Sequence, residues 1–309
     1  MLQYKNPVII YNPTAGGGSA KKKFSKYYEK LIENKLFENI DVVETKSKED
    51  ALNEIENICK QKKNDLIISI GGDGTISTTV NGIMRLPKEL RLPLFPLPSG
   101  TGDSLLRDFG VTDIDKALAN YKSIEKTKMY DLLFVEEING DFKWYCINIV
   151  GMGFISDIAD YAVNHGKKLG ALTYIVSLFS VLGRFRPYKI KIKYGKDGSV
   201  LENNKTYFLT VSNTKFTGGA LKVAPYAEFD DGLMDVVYLH DLNRFQFLNG
   251  FFKTFKGTHL NKQKICGFLK TDYLEIEATP NFLVMPDGDL VGKSPLRITV
   301  LPREVELVV

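Results

Sequence analysis

The sequence predicts an α/β fold followed by a β-rich one. Up to about residue 128, short apolar segments alternate with amphipathic segments of helical period, which is typical of parallel strands joined by crossover helices. This alternation predicts a doubly wound, mostly parallel sheet. From residue 129 onward the pattern changes to short strands and hairpin turns such as Asn139-Gly140, which indicates a second, antiparallel β domain.

Each predicted element follows from its local pattern. In the first domain, branched apolar residues predict strands at residues 8–11, 40–45, 66–70 and 92–97, and helical spacing predicts helices beginning at residue 19, over 48–62 and near 77–84. In the second domain, the predicted strands are residues 131–136, 143–150, 188–194, 282–285, 296–301 and 305–309. The lysines of the first helix lie on its polar side and are interpreted as a solvated face.

The composition limits the function classes. The chain has 309 residues, 44% of them hydrophobic and 25% charged, and its net charge of +4 is too small to indicate nucleic-acid binding. Three widely separated cysteines fit a reducing compartment better than a disulfide framework. The N-terminus has no apolar signal core, and no segment reaches the roughly 18 apolar residues of a membrane span. We therefore expect a cytoplasmic protein that is able to visit a membrane surface.

Three loops rich in small residues follow predicted strands of the first domain. Their characteristic residues are Asn12, Pro13, Thr14, Ala15 and Gly16 in the first, Gly71, Gly72, Asp73, Gly74 and Thr75 in the second, and Gly100, Thr101 and Asp103 in the third. A loop of this kind that opens onto a helix presents backbone N–H groups to phosphate. Asp73 would repel phosphate without a cation, so it suggests chemistry with Mg²⁺ and a nucleotide.

The second loop resembles the nucleotide loop shared by diacylglycerol kinases, sphingosine kinases, NAD kinases and, less closely, phosphofructokinases. A second signature, residues 211–225 followed by 230–236, resembles the diacylglycerol and sphingosine kinase group, whereas NAD kinases and phosphofructokinases lack it. The resemblance extends from Asn12 to Asp289. It implies an NAD kinase/diacylglycerol kinase-like first domain over residues 1–128, a β-sandwich lipid-substrate domain over 129–296, and a tail of about 297–309 that returns to the first domain.

The resemblance also implies roles for particular residues. ATP would be held by the residues of the three loops named above and by Thr45, with Asp73 directed toward Mg²⁺ and phosphate. A structural Mg²⁺ would be held by Glu228, Asp231 and the Leu233 carbonyl. The family motif Asp-Gly-Glu corresponds here to Asp287-Gly288-Asp289. Asp287 is the expected base that deprotonates the lipid hydroxyl, and Asp289 is the alternative.

Besides Asp289, which stands where the family has Glu, three positions depart from the family pattern. Asp103 stands where Asn is usual, and Ser104 stands where many bacterial members have Asp. Sphingosine kinases carry an acidic residue, used to hold the lipid amine, at the position of Ala159; Asp160 is displaced from it by one residue. The last departure weakens the prediction of a cationic lipid substrate.

One almost uniformly apolar segment, residues 171–182, is flanked by basic residues. It is either a core helix or a helix that covers a lipid pocket or lies at the level of the lipid headgroups.

These features together predict an ATP-dependent lipid kinase that acts on the hydroxyl of a diacylglycerol-like lipid. Three alternatives remain: a sphingosine or other long-chain-base kinase, an NAD kinase, and a catalytically silent lipid-binding or regulatory protein of the same fold. The expected cofactors are ATP and Mg²⁺. The expected partner is a membrane-derived lipid, with peripheral membrane contact, a possible homodimer and no nucleic acid.

Overall fold

The computed structural model describes residues 4–14, 19–99, 103–124, 127–165, 172–261 and 264–309. Four predicted nucleotide-binding residues, Ala15, Gly16, Gly100 and Thr101, lie outside these ranges. The chain divides into two compact units, a first that comprises residues 1–130 and 303–309 and a second that comprises residues 131–302.

The first unit is built on a parallel sheet. Its elements are β1 (Pro7–Tyr11), α1 (Ser19–Glu33), β2 (Asp41–Glu44), α2 (Lys48–Gln61), β3 (Leu66–Gly71), α3 (Asp73–Met84), a 3₁₀ turn (Lys88–Leu90), β4 (Leu94–Pro98), α4 (Ser104–Asp108) and α5 (Ile114–Ser123). The strands lie in the order β2, β1, β3, β4, and all of these pairs are parallel. Leu307, near the end of the chain, pairs in parallel with Leu94. The predicted fold class of the first domain is confirmed.

The position of β3 explains its composition. Every residue of β3 is buried, because α helices cover both faces of a parallel sheet and no side chain of a central strand reaches water. Ile68 and Ile70 pack in one cluster with Leu31 of α1 and Leu118 of α5. A strand in this setting needs apolar side chains at every position, which is why residues 66–70 show no alternation.

The register of the sheet brings the loops together. Tyr11 pairs with Ile70, and Gly71 pairs with Pro98, so β1, β3 and β4 end at the same level. The loops that follow these three strands therefore leave the same edge of the sheet, where open α/β folds bind their ligands.

The second unit is mainly antiparallel. Its elements are β5 (Lys128–Glu137), β6 (Lys143–Cys146), β7 (Ile149–Gly153), α6 (Phe154–His165), α7 (Leu172–Val181), a 3₁₀ turn (Leu182–Arg184), β8 (Tyr188–Tyr194), β9 (Ser199–Ser212), β10 (Phe216–Thr217), β11 (Leu221–Lys222), β12 (Met234–His240), α8 (Arg244–Thr254), a 3₁₀ turn (His259–Asn261), β13 (Cys266–Thr271), β14 (Tyr273–Thr279), β15 (Val284–Pro286) and β16 (Leu296–Leu307).

The strands of the second unit surround one apolar core. Strands β13, β12, β9, β8, β14 and the first residues of β16 pair in that order, and each pairing is antiparallel. Strand β7 pairs with both β9 and β15. Inward side chains such as Ile192, Val211, Ile276 and Ile298 are fully buried. The predicted antiparallel domain is confirmed.

The apolar segment at residues 171–182 forms helix α7, and Ala171 lies outside the described residues. In its C-terminal half, Leu178 and Val181 are buried while Val176 and Phe179 are 47% and 53% exposed. This part of the helix therefore has one core face and one apolar face in solvent. Among the described residues, no helix combines the length and the apolar character that crossing a membrane requires.

Candidate active site

The turn from β3 into α3 depends on Gly71, the last residue of the strand. A Cβ atom on Gly71 would lie 2.0 Å from Thr75 Oγ1, so any side chain there would collide with Thr75. Gly74, in the first turn of α3, faces open space. The loop is therefore compact on its inner side and open on the side where the N-terminus of α3 begins, which is the arrangement that accepts a phosphate.

The Asp73 carboxylate binds the backbone of the loop after β4. It accepts hydrogen bonds from the backbone N–H of Ser104 at 3.0 Å and of Leu105 at 3.2 Å. Asp103, the residue that precedes α4, has left-handed backbone geometry (φ 44°) and does not cap the helix. Asp73 thus supplies the cap of α4 from a neighbouring loop, and its side chain fixes two of the three predicted nucleotide loops against each other.

The loop after β1 is shaped by Asn12. Its side-chain oxygen accepts hydrogen bonds from the Thr14 backbone N–H at 2.9 Å and the Thr14 hydroxyl at 2.7 Å, which closes an Asx turn over Pro13. Thr45 is buried, and both its backbone N–H and its hydroxyl donate to the Tyr11 carbonyl, at 2.9 and 3.3 Å. In this structure Asn12 and Thr45 shape the end of β1.

Lys23 is a functional candidate that the sequence analysis missed. Its ammonium group donates to the Ser99 carbonyl, and the Tyr27 hydroxyl donates to the neighbouring Pro98 carbonyl. Lys23 therefore places a positive charge where β4 leads into the third loop. The available signal was its position four residues before the buried Tyr27, which puts both side chains on the same side of α1.

The Asp287 carboxylate is directed into the second unit. It accepts hydrogen bonds from the backbone N–H groups of Ile147 (3.0 Å), Asn148 (2.9 Å) and Ile149 (3.3 Å), and from the Cys146 thiol (3.0 Å). Its residue is only 6% exposed. Burial, and then the Asp287 charge, raises the pKa of Cys146 well above the ordinary thiol value, so this thiol stays protonated and donates. Asp287 thus holds the segment that links β6 to β7.

Asp289 lies at the other end of the same tight turn. Its backbone N–H donates to the Pro286 carbonyl at 3.0 Å, and Gly288 adopts a φ of 94° that favours glycine. Asp289 is half-buried, and Gly288 is exposed. The turn therefore holds Asp287 inward and leaves Asp289 the more accessible of the two carboxylates.

The predicted metal residues surround a lysine. Asp231 accepts from the Leu233 backbone N–H at 2.9 Å, and its other oxygen lies 2.9 Å from the Lys270 ammonium. The same ammonium lies 3.3 Å from Asp235, whose residue is 1% exposed. Glu228 is exposed. Within the part of the chain that the structure describes, no three His, Cys, Asp or Glu side chains form a group that could hold a metal ion. In this structure the Lys270 ammonium supplies the positive charge beside Asp231, and the Mg²⁺ site at Glu228, Asp231 and the Leu233 carbonyl stays a prediction.

Asp235 is strongly affected by its surroundings. Burial raises the pKa of Asp235 to about 6, Lys270 opposes the rise, and the nearby Asp231 and Glu228 charges add to it. Apart from the Lys270 ammonium at 3.3 Å, the carboxylate oxygens of Asp235 have no hydrogen-bond donor among the described residues. The ion pair with Lys270 is therefore its main compensation for burial.

A buried polar cluster in the second unit also escaped the sequence analysis. Asp131, assigned from sequence only to a strand, is fully buried and accepts from the Gly232 backbone N–H at 2.8 Å. The Asn213 amide donates to the Asp131 carbonyl at 2.8 Å and to the Ile147 carbonyl at 3.3 Å. The side-chain oxygens of Asn148, Asn213 and Thr214 are buried without a partner among the described residues. Such oxygens are ready to receive donors from water or a ligand.

Family models match almost the whole chain. Residues 6–134 match the diacylglycerol kinase catalytic domain, and residues 148–309 match the YegS C-terminal NAD kinase beta sandwich-like domain. The chain is similar to a diacylglycerol kinase of Bacillus subtilis (strain 168), with 29% identity across 98% of this chain and 96% of that protein. It is also 28% identical to a diacylglycerol kinase of Mycobacterium tuberculosis (strain CDC 1551 / Oshkosh) over 80% of this chain and 77% of the relative.

Solved structures agree with the fold. A crystal structure of a candidate diacylglycerol kinase from Bacillus anthracis str. Sterne superposes with a TM-score of 0.79 and 25% identity, over 100% of this chain and 98% of that one. The yeast NADH kinase complexed with NADH superposes with a TM-score of 0.50 and 11% identity, over 98% and 82% of the two chains, and shows the fold alone. With both of its domains matched, the chain belongs to the diacylglycerol kinase-like family of lipid kinases.

Proposed function

We propose that this lipid kinase transfers the γ-phosphoryl group of ATP to the hydroxyl of a diacylglycerol-like lipid. The main support for the proposal is the contact of the Asp73 carboxylate with the backbone N–H groups of Ser104 and Leu105. This contact organises two adjacent loops of the kind that binds phosphate, at the carboxyl edge of the parallel sheet. Relatives named diacylglycerol kinase, similar over nearly the whole chain, support the lipid class of the acceptor.

In this proposal the first unit binds ATP as its Mg²⁺ complex. The proposed contacts are the residues predicted for the three loops, together with the ammonium of Lys23. Phosphoryl transfer depends mainly on positioning and on neutralising the charge of the phosphates. Backbone N–H groups at the start of α3 and the Lys23 ammonium would neutralise the charge of the phosphates. The side chains of Asp73, Asn12 and Thr45 would keep the loops in their conformation.

The Asp-Gly-Asp turn would provide the proton acceptor. The lipid hydroxyl loses its proton to a carboxylate, its oxygen attacks the γ-phosphorus, and the bond from that phosphorus to the bridging oxygen of ADP breaks. Three donors approach Oδ1 of Asp287 and one approaches Oδ2, and the residue is only 6% exposed, so Asp287 is less accessible to a lipid hydroxyl than the half-buried Asp289. We therefore assign proton acceptance to Asp289 and assign to Asp287 the positioning of the turn.

The choice of acceptor has one structural support. Ala159, at the position where sphingosine kinases carry an acid for the lipid amine, is 5% exposed and brings no charge. This favours a neutral lipid over a long-chain base.

A panel of acceptors tests the proposal. Purified protein is incubated with Mg²⁺-ATP and, separately, diacylglycerol, sphingosine, ceramide or NAD, and the phosphorylated products are separated. We expect phosphatidic acid from diacylglycerol and little product from the others. Preference for sphingosine or NAD would reassign the acceptor, and no product from any of them would favour a silent binder.

A further inference from the structure

Helix α8 exposes a stripe of large apolar side chains. Phe245, Leu248, Phe252 and Phe255 follow one another at spacings of three, four and three residues, which places them along one face of the helix. Phe245 is 83% exposed, Phe252 56% and Phe255 44%. We call these four residues the aromatic stripe. Side chains of this size are normally withdrawn from water unless a partner covers them.

The stripe adjoins the face that α8 uses for packing, and its three phenylalanines are exposed while Leu248 lies at the border. Phe247 is 2% exposed and joins an apolar cluster with Phe154 and Leu178, whereas Leu248 and Phe251 border that cluster. Rings of Phe251 and Phe255 meet edge to face at 5.9 Å. The core contacts of the helix therefore use Phe247, Leu248 and Phe251, and they leave Phe245, Phe252 and Phe255 largely exposed.

The helix is held firmly at its N-terminus. Asn243 and Gln246 form a reciprocal capping box, and Arg244 donates to the Gly183 carbonyl at 3.3 Å. The stripe is therefore displayed on an ordered element, which favours a built surface over a fluctuating one.

The segment that carries the stripe, between Asp241 and Asp272, is basic. Residues 242–271 contain no Asp or Glu, whereas their basic residues number six: Arg244, Lys253, Lys256, Lys262, Lys264 and Lys270. Lys256 is exposed and directly follows Phe255. Lys270 is engaged by Asp231 and Asp235. Along the chain, the charges next to the stripe are the basic Arg244, Lys253 and Lys256 and, before the N-cap of α8, the acid Asp241.

We propose that α8 docks on the surface of an anionic lipid bilayer, with the aromatic stripe entering the headgroup region and the adjacent basic residues meeting anionic headgroups. Amphipathic helices with aromatic residues on one face and lysines beside it bind membranes in this way. The inference rests on the proposed function, since an enzyme that phosphorylates a membrane lipid must reach it at the bilayer surface.

A second copy of the chain is the main competing occupant. An isologous contact through the stripe would bring two mainly basic segments face to face, and like charges at short range oppose association. An anionic bilayer is complementary to both the apolar side chains and the basic residues of this surface. A second copy of the chain is complementary only to the apolar side chains.

Vesicle flotation with the full chain tests the docking. The vesicles are phosphatidylcholine alone or phosphatidylcholine mixed with phosphatidylglycerol. We expect wild type to bind the mixed vesicles, with an affinity that weakens as salt is added.

Variants test the two parts of the surface. Phe245→Ser with Phe252→Ser should weaken vesicle binding by about 100-fold, since the loss of each ring lowers the affinity by about tenfold. Lys253→Gln with Lys256→Gln should weaken it by about tenfold. The matched controls, Val200→Ser (52% exposed) and the exposed Lys189→Gln, should bind like wild type.

A second experiment, which measures turnover, separates membrane docking from catalysis. With a short-chain diacylglycerol dissolved in water, the stripe variants should keep wild-type turnover, while turnover on mixed vesicles should fall in step with binding. If wild type phosphorylates no lipid at all, flotation still decides the docking, and only the proposed function is lost.

The docking proposal is overturned if wild type floats equally with neutral and anionic vesicles, or if the double Phe variant floats as wild type does. It is also overturned if light scattering shows that the Phe variant turns a dimer into a monomer while vesicle binding is unchanged, because the stripe would then join two copies of the chain.

Discussion

The Asp73 carboxylate accepts the backbone N–H of Ser104 at 3.0 Å and so joins two loops that are 31 residues apart in the sequence. Replacing Asp73 with Ala removes both hydrogen bonds to the start of α4. We expect a loss of about 1 kcal/mol in the free energy of unfolding, the usual value of a helix cap. We also expect turnover to fall by about 10²-fold, because a small displacement of a positioning loop is enough for that.

Asp73→Asn separates the hydrogen bonds from the charge, since its amide keeps one acceptor oxygen. Denaturant unfolding and steady-state kinetics at saturating Mg²⁺-ATP measure the two effects. Wild-type turnover in a folded Asp73→Ala protein would exclude Asp73 from the function of the site.

The two acids of the Asp-Gly-Asp turn should respond differently to amide substitution. Asp289→Asn should lower turnover by about 10²-fold or more with little change in melting temperature or ATP affinity, as expected on losing a general base. Asp287→Asn turns an N–H donor toward backbone N–H donors and should lower the free energy of unfolding by about 1 to 3 kcal/mol. An Asp289→Asn protein with full turnover, beside a stable and inactive Asp287→Asn protein, would reverse the two assignments.

The sequence predicted much of the fold because its patterns are local. The unbroken apolar character of residues 66–70 and the helical spacing in α1 are each visible within one element, and the two motifs of the family specify its topology. What escaped prediction depends on contacts between distant residues. Nothing near Asp73 in the sequence indicates that its carboxylate caps α4, and nothing near Asp287 indicates that the amides of residues 147–149 turn it inward.

The missed cations have the same origin. Lys23 is one of many lysines on α1, and only the fold places its ammonium at the Ser99 carbonyl. Lys270 lies 39 residues after Asp231 and became its partner through the pairing of β12 with β13. The sequence motif predicted a metal beside Asp231, and the lysine that the fold places there could not be predicted from the motif.

Lys23 should contribute to ATP binding. Lys23→Ala removes the positive charge at the start of the third loop and should raise the KM for ATP by about tenfold, the value of one hydrogen bond to a charged group. Lys26→Ala, an exposed lysine of the same helix, is the matched control and should leave KM unchanged. Equal KM values for the two variants would show that Lys23 has no role in ATP binding.

Asp235 should give the stability a distinct pH dependence. Burial raises the pKa of Asp235 to about 6, above its ordinary value of 3.8. The folded protein therefore keeps this proton up to about pH 6, whereas the unfolded chain releases it near pH 4. The stability due to this group is greatest below pH 4 and falls as the pH rises to about 6, by about 3 kcal/mol in total.

Asp235→Asn should remove that fall. The unfolding free energy of the variant minus that of wild type should therefore increase from pH 4 to pH 6. Above pH 6 this difference should stay constant. Asp272→Asn, which removes a partly exposed acid nearby in the sequence, is the matched control for the loss of a carboxylate. A difference that does not change with pH would show that Asp235 titrates as an ordinary carboxyl.

Transfer of labelled phosphate from γ-labelled ATP to diacylglycerol tests the central claim most directly. Wild type is compared with Asp289→Asn in detergent micelles at saturating Mg²⁺-ATP, where membrane docking is not required. The account predicts labelled phosphatidic acid from wild type and at least about 10²-fold less from the variant. Equal product from both would contradict the assignment of Asp289, and no labelled lipid from wild type would contradict the proposed function itself.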